Sequence, residues 1–330
     1  MFRTALQPPS YDFEIGLQSP ILSLGSCFAQ SMGNRLLAHK FKALVNPFGT
    51  LFNPISIFKL LQMSLDKDLP NDFEEHFVQN QGIWHHYDFH SEFSASTKAD
   101  LAQNIAKALQ KLRHFIHTQK PQVLLLTFGT AWVYELKTSQ KVVANCHKTP
   151  AQHFEKRLLS LEEITQAFQL LQQPLKNSLP HLQILLTVSP VRHIKDTLPL
   201  NTVSKSLLRV LCHQWAENYA QVSYFPSYEM MLDDLRDYRF YEADMLHPNE
   251  VAQAYIWEQF QQSFFSENTR QVLKKWAKVQ KALQHKAFHP QSPAHRAFLE
   301  KTKQQLQNLS AILDLQEELK MVEGALGKFE

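Results

Sequence analysis

Short apolar runs alternate along this chain with longer stretches in which apolar residues recur at helical spacing. The runs ILSL (21–24), KALV (42–45), QVLLLTFG (122–129), LQILLTVSP (182–190) and QVSYFP (221–226) read as buried strands. A strand covered on both faces carries such a run instead of a strict polar–apolar alternation. Between them the helical stretches are equally plain. Phe28, Met32 and Leu36 form one stripe, with Leu37 alongside. Asn53 and Pro54 open the next helix, Asn as the cap and Pro at the first helical position, where its missing N–H costs nothing. Residues 98–117, 161–175 and 202–220 repeat the pattern. Strand and helix in repeated alternation predict an α/β fold. The expected architecture is a mostly parallel sheet between two helical layers.

Two segments break the alternation as β-hairpin insertions. AWVYELKTSQKVVANC (131–146) turns at KTSQ, and FEEHFVQNQGIWHHYDFH (73–90) turns near Gly82. Both follow helix or strand ends, so both are expected near the edge where α/β sheets bind ligands. From about Ser266 the composition changes. The chain becomes Lys- and Gln-rich, with Leu306, Leu309 and Leu313 at helical spacing and FHPQSP (288–293) as a break. This predicts an α/β domain over 1–265 and a C-terminal helical hairpin over 266–330. The hairpin is expected to pack on its own core, with self-association through these helices left open.

Composition narrows the classes. A net charge of +3, without basic runs, gives no footprint for nucleic acid. No apolar run reaches the roughly 18 residues of a membrane span, and the polar, Pro-containing start does not read as a signal peptide. The 3 cysteines, Cys27, Cys146 and Cys212, follow neither a zinc nor a disulfide spacing. A reducing, cytoplasmic setting is expected, with no metal and no cofactor.

Chemistry is concentrated where strands end. In SLGSCFAQSMG (23–33) Ser26 and Cys27 stand side by side at a strand-to-helix junction. Free amides and the positive end of the helix dipole would favour a thiolate at Cys27. Equally, Ser26 could simply cap the helix and Cys27 be a small buried residue. In YEADMLHPNE (241–250) Asp244 and His247 lie three residues apart just before a helix. That spacing lets a carboxylate hold one imidazole nitrogen while the other faces outward. Candidate oxyanion donors follow other strands: Gly49 in NPFGT, Thr130 in TFGTAWVY and Asn145 in ANCHK. His85, His86, Arg192 and His193 are candidate substrate contacts.

Together LGSCFAQSMG, VNPFGTLFNP, TFGTAWVY, VANCHK, SPVRH and DMLHP resemble the GSCFA family, over about residues 20–265. That family looks like a branch of the SGNH, or GDSL-type, hydrolases. The resemblance implies a flavodoxin-like three-layer αβα sandwich and acyl-ester hydrolase or acyltransferase chemistry, with carbohydrate acyl esters among the substrates. Asp244 and His247 match the D-x-x-H block of that superfamily, and Gly49 is the match for its oxyanion glycine. The G-x-N-D block is Gly129–Thr130–Ala131–Trp132 here, without its Asn, so Asn145 or the Thr130 hydroxyl stands in as donor. Aligning Gly25 on the G-D-S block puts Cys27 at the nucleophile position, whereas a serine nucleophile means Ser26. The implied partner is a small-molecule ester or thioester, and the alternative is a binding protein on a degenerate hydrolase scaffold.

Overall fold

The computed structural model describes residues 4–66 and 69–329. Strand β1 (Ile21–Gly25) leads through Ser26 into helix α1 (Cys27–Ala38) and β2 (Ala43–Val45). Helix α2 (Pro54–Leu65) precedes an antiparallel unit of β3 (Phe77–Asn80), β4 (Ile83–His86) and β5 (Ser94–Ala95). Helix α3 (Lys98–His114) returns the chain to β6 (Val123–Phe128). A second antiparallel unit follows, β7 (Trp132–Leu136), β8 (Lys141–Val143) and β9 (Phe154–Leu158). Then come α4 (Leu161–Ser178), β10 (Gln183–Val188), α5 (Leu198–Asn218), β11 (Val222–Tyr224), the single turn α6 (Ser227–Glu229) and α7 (Glu250–Phe264). Helices α8 (Glu267–Gln284), α9 (Pro293–Leu309) and α10 (Gln316–Leu326) close the chain.

The central sheet has 5 strands in the order β11-β10-β6-β1-β2, all parallel. Counted along the chain this is the flavodoxin order 2-1-3-4-5, which reverses direction between β1 and β6. Alternate residues of the strands feed two cores. Leu22, Leu24, Leu124, Leu126 and Leu186 pack under α2, α3, α4 and α5. Ile21, Val123, Leu125 and Leu185 face α1, α7 and the C-terminal helices. The molecule is therefore a three-layer αβα sandwich. Every residue of β1 and β6 is buried, which is why their sequences read as apolar runs broken only by the small Ser23 and Thr127.

Local signals are realised as the sequence predicts. Asn53 caps α2 by accepting the Ser56 N–H at 2.8 Å, with Pro54 in the first turn. The hairpin of β7 and β8 turns at Lys137–Gln140, with Gln140 at positive φ, and that of β3 and β4 at Gln81–Gly82, where both residues take positive φ. Each hairpin also gains a third strand, β9 and β5 respectively.

The C-terminal extension corrects one expectation. It has three helices, and it does not pack on its own core. The stripe Val272, Leu273, Trp276 and Val279 of α8 joins the same apolar cluster as Phe28, Met32 and Leu36 of α1 and Trp257 of α7. Trp276 Nε1 donates to the Ala38 carbonyl at 2.9 Å, and Lys40 pairs with Glu318 of α10 at 2.5 Å. A pair of helices would leave one apolar stripe uncovered, and the α1–α7 face takes it up. No helix of the described residues is long and apolar enough to cross a membrane.

Candidate active site

The turn after β1 sits at the switch point of the sheet, where open α/β folds bind ligands. Gly25 ends the strand at φ +142°, and a Cβ there would lie 2.2 Å from the Thr127 carbonyl oxygen of β6. Only glycine allows that approach. The turn is braced on three sides. Gly25 N–H donates to Asn46 Oδ1 at 2.9 Å, Leu51 N–H donates to the Gly25 carbonyl at 2.9 Å, and Ser26 N–H donates to the Thr127 carbonyl at 3.2 Å.

The two neighbours that share this turn differ sharply in environment. Ser26 is wholly buried; it takes the cap position of α1, but its side chain makes no capping bond and its Oγ meets no partner among the described residues. Cys27 begins α1 and is partly exposed. Burial pushes the Cys27 thiol up, and the Asp244 charge adds to this. The amides of Phe28 and Cys27 and the charge of Lys205 pull the other way without overcoming it. This corrects the expectation of a helix-activated thiolate. A helix N-terminus favours the anion, but desolvation of the sulfur is the larger effect here.

The second half of the site is the loop before α7. His247 Nδ1 stands 2.6 Å from Asp244 Oδ2. Asp244 Oδ1 accepts the Leu246 and His247 N–H groups at 2.8 and 3.0 Å. The His247 and Leu246 amides, and then the imidazole, hold the Asp244 carboxyl down to about 2. Met245 takes φ +61° to close this turn. The loop is tied off by the Tyr241–Pro248 bridge and by Asn249, whose Oδ1 caps α7 through the Ala252 N–H. Helix α7 is fastened to α1 by Arg35–Glu250 at 2.7 Å and by a bond between Ser31 and Gln253. These α1–α7 contacts, and the bond from the Arg192 N–H after β10 to the Leu246 carbonyl, hold the loop at the carboxyl-end edge of the sheet where α1 begins.

The remaining candidates divide. Arg192 and His193, after β10, line a cavity of about 600 Å³ together with Phe52, Thr130, Trp132 and Leu246. Arg192 donates to Tyr241 Oη at 2.7 Å and to the Met245 carbonyl at 3.3 Å, and lies 4.2 Å from the Tyr241 ring centre. Burial, then Lys205, pushes His193 down to about 4, and its Nε2 is buried without a partner among the described residues. By contrast His85 and Asn145 line a separate cavity with His147. His86 is fully buried, donating from Nε2 to the Phe73 carbonyl at 3.0 Å and accepting the Asp88 N–H at Nδ1. These three are not on the cavity that adjoins His193.

Of the oxyanion donors expected from sequence, Gly49 and Thr130 are engaged locally and Asn145 lies on the other cavity. Gly49 N–H donates to the Asn46 carbonyl at 2.9 Å within a turn at φ +74°. The Thr130 hydroxyl is shared with Ser204 Oγ at 3.1 Å and accepts the Trp132 N–H. Asn145 Oδ1 accepts the His147 N–H. The donors that face the Cys27 sulfur are the amides of Cys27 and Phe28.

The model of the GSCFA family matches residues 20–260, which span the whole sheet and both halves of this site. The chain belongs to the GSCFA family. A separate model, of the C-terminal domain of GSCFA domain proteins, matches residues 276–327. No curated protein matches the chain.

One buried charged residue of this GSCFA chain lies outside the motifs above. Lys205 of α5 is 1% exposed, and its Nζ donates to the Gly129 carbonyl at 2.7 Å and to the Ser189 carbonyl at 2.6 Å. Those carbonyls end β6 and β10. Burial pushes Lys205 down to about 7, while the nearby Cys27 pulls it back up. A signal existed. The buried stripe Leu208, Leu211, Cys212 and Trp215, extended one turn toward the N-terminus, lands on Lys205, where an apolar residue belongs.

Among the described residues, the group of three close ligand atoms is His76, His86 and Asp88. Lys59 already neutralises Asp88 at 2.7 Å, His76 Nδ1 stands 3.1 Å from it, and both nitrogens of His86 are engaged. This donor set fits a buried polar network beneath β3 and β4 and not a cation site, since a dication would have to displace Lys59.

Proposed function

We propose that this GSCFA protein is an acyl-ester hydrolase or acyltransferase of SGNH-like type, with Cys27 as nucleophile, His247 as general base and Asp244 as the group that orients it. The observation that carries this reading is the 2.6 Å contact between His247 Nδ1 and Asp244 Oδ2, on a loop whose helix α7 is fastened to α1, the helix that the partly exposed Cys27 begins. That contact fixes the tautomer with the proton on Nδ1 and leaves Nε2 as the base. Burial keeps Cys27 a thiol at rest. The S–H proton therefore passes to His247 Nε2 as sulfur attacks the carbonyl of a small-molecule ester or thioester. The oxyanion is met by the amides of Cys27 and Phe28. Collapse expels an alcohol or thiol that takes the proton back from His247. Water, or a sugar hydroxyl, then attacks the acyl-cysteine by the reverse steps and frees the thiol.

We assign the substrate to the cavity of about 600 Å³ at Arg192 and His193, whose lining residue Leu246 directly precedes His247. Free thiols at positions 27, 146 and 212 agree with a reducing, cytoplasmic setting. The engaged Gly49 N–H and Thr130 hydroxyl favour a second reading, a non-catalytic ligand-binding protein on the same scaffold.

One experiment separates the two. Acyl release is measured from a panel of acetyl esters and acyl thioesters for wild type, Cys27→Ala, Ser26→Ala and His247→Ala. The hydrolase reading expects background rates in Cys27→Ala and His247→Ala, and retained activity in Ser26→Ala. An active wild type matched by Cys27→Ala overturns the assignment, and loss confined to Ser26→Ala moves the nucleophile by one residue. Absence of turnover across the panel, with saturable binding of an ester analogue, supports the binding protein.

A further inference from the structure

The two β insertions enclose a second cavity of about 590 Å³, in the size range of small-molecule sites. Asn80, His85 and Ser94 line it from the unit of β3, β4 and β5, and Asn145, His147 and Lys148 from the loop after β8. No residue lines both this cavity and the one at Arg192. His147 is 4% exposed, and its ring stacks on that of His85 with centres 4.6 Å apart and planes 14° from parallel. His147 Nε2 donates to the His86 carbonyl at 2.9 Å, so Nε2 carries the proton of the neutral ring. Burial above all holds this imidazole down to about 4, against the pull of the His86 and Phe89 carbonyls. Its Nδ1 is therefore a lone pair at neutral pH, and that atom is buried without a partner among the described residues, as is His85 Nδ1. His147 and Lys148 both take left-handed backbone, at φ +47° and +59°. Asn145 Oδ1 fixes that conformation by accepting the His147 N–H at 2.9 Å, and Asn80 Nδ2 by donating to the His147 carbonyl at 2.9 Å. Strain held in this way by its surroundings clusters at ligand clamps.

We propose that this cavity is a second binding site, for a neutral sugar or polyol, one hydroxyl of which donates to His147 Nδ1. The lining sets the class. No carboxylate lines the cavity among the described residues, which gives a cation nothing to bind, and Ile83 is the one aliphatic side chain, too little for an apolar ligand. An anion would find a single lysine, and acceptor lone pairs in place of charged imidazoles. Asn80 and Asn145 amides and the Ser94 hydroxyl each donate and accept, which matches the hydroxyls of a sugar. The His147 ring lines the cavity with Nδ1 just behind its surface, so a small turn of the ring brings that unused acceptor to the ligand. The site shares no lining with the one at Arg192, so it stands whether or not Cys27 reacts with an ester.

The test is isothermal titration calorimetry on the full-length protein with glucose, galactose, mannose, N-acetylglucosamine and myo-inositol, and with inorganic phosphate as the anionic arm. Wild type is compared with Ser91→Trp, which fills the cavity from an exposed lining position, and with His147→Phe, which keeps a ring and removes the acceptor. At least one sugar or polyol is expected to bind wild type with a millimolar or lower Kd, and Ser91→Trp to abolish that binding. His147→Phe should weaken it by about threefold to tenfold, the loss of one neutral hydrogen bond. Among the deoxy derivatives of the ligand that binds, the one lacking the donating hydroxyl should bind wild type and His147→Phe equally, whereas a merely structural role for His147 would weaken parent and derivative alike. Should His147→Phe not fold, Ser91→Trp and the deoxy series on wild type are decisive. No binding across the panel, binding of phosphate alone, or sugar binding that Ser91→Trp leaves unchanged overturns the proposal. Equal weakening of parent and every deoxy derivative in His147→Phe overturns the role of His147.

Discussion

Replacing Gly25 by alanine perturbs the turn on which the account of the site depends. The added Cβ would lie 2.2 Å from Thr127 O, 2.9 Å from Thr127 C and 3.0 Å from Thr127 N. All three are backbone atoms of β6. That strand cannot give, because Thr127 is paired to Gly25 of β1 on one side and to Thr187 of β10 on the other. Two costs add. A non-glycine residue at φ +142° carries about 1–3 kcal/mol of backbone strain, and overpacking against a fixed neighbour costs about 1–3 kcal/mol more. The sum, about 2–6 kcal/mol, is a large share of the roughly 5–15 kcal/mol that stabilises a domain. Urea unfolding followed by tryptophan fluorescence measures it. With a slope of about 3 kcal/mol/M, the midpoint should fall by about 0.7–2 M. Gly82→Ala is the control. It sits at φ +81° with nothing within 4 Å of its Cβ, so it carries strain without a clash and should lose only about 1–2 kcal/mol. A Gly25→Ala midpoint equal to that of Gly82→Ala would refute the close approach of β1 and β6.

Three further outcomes follow from the same contacts. Trp276→Ala removes a buried indole and its bond to Ala38, and should cost about 3–5 kcal/mol, with faster amide exchange in α8 and at the end of α1. His86 is held neutral, its pKa lowered to about 4 by burial first. The unfolded chain therefore binds the proton first as pH falls below about 6.5, and stability declines down to about pH 4, by about 3 kcal/mol from this group. His147 and His193 act in the same direction, so the urea midpoint should fall more steeply than one proton allows, and His86→Gln should flatten part of that slope. Asp244→Asn keeps the size of the side chain but presents no carboxylate to His247 Nδ1, and should lower kcat on any ester substrate by a hundredfold or more, on the order of triad mutants, with KM little changed.

The sheet was legible because its strands are covered on both faces. Runs such as VLLLTF in β6 are apolar at every position but Thr127, as burial on both faces requires. The Asn53–Pro54 cap and the KTSQ turn were legible for an equally local reason, since backbone geometry there depends on a few adjacent residues. Strand β9, FEKRL, was not: it pairs with β7 at the margin of a small sheet and buries only Phe154 fully. Asp244 and His247 could be read together because their contact is local. The engagement of Gly49 by Asn46, the placement of His85 and Asn145 on another cavity, and the burial of Ser26 depend on how loops from different strands meet. Lys205 was hidden for the opposite reason: a single lysine on an amphipathic helix ordinarily faces water, and only the two strand-end carbonyls explain why this one does not.

The most direct test of the central claim is to trap the acyl-enzyme. The full-length protein is incubated with an activated acetyl ester, quenched in acid, and mapped by peptide mass spectrometry. The account predicts a hydroxylamine-labile acetyl group on Cys27, strongly reduced in His247→Ala and unaffected in Ser26→Ala. An adduct on Ser26, or Cys27 labelling that His247→Ala leaves unchanged, would contradict it.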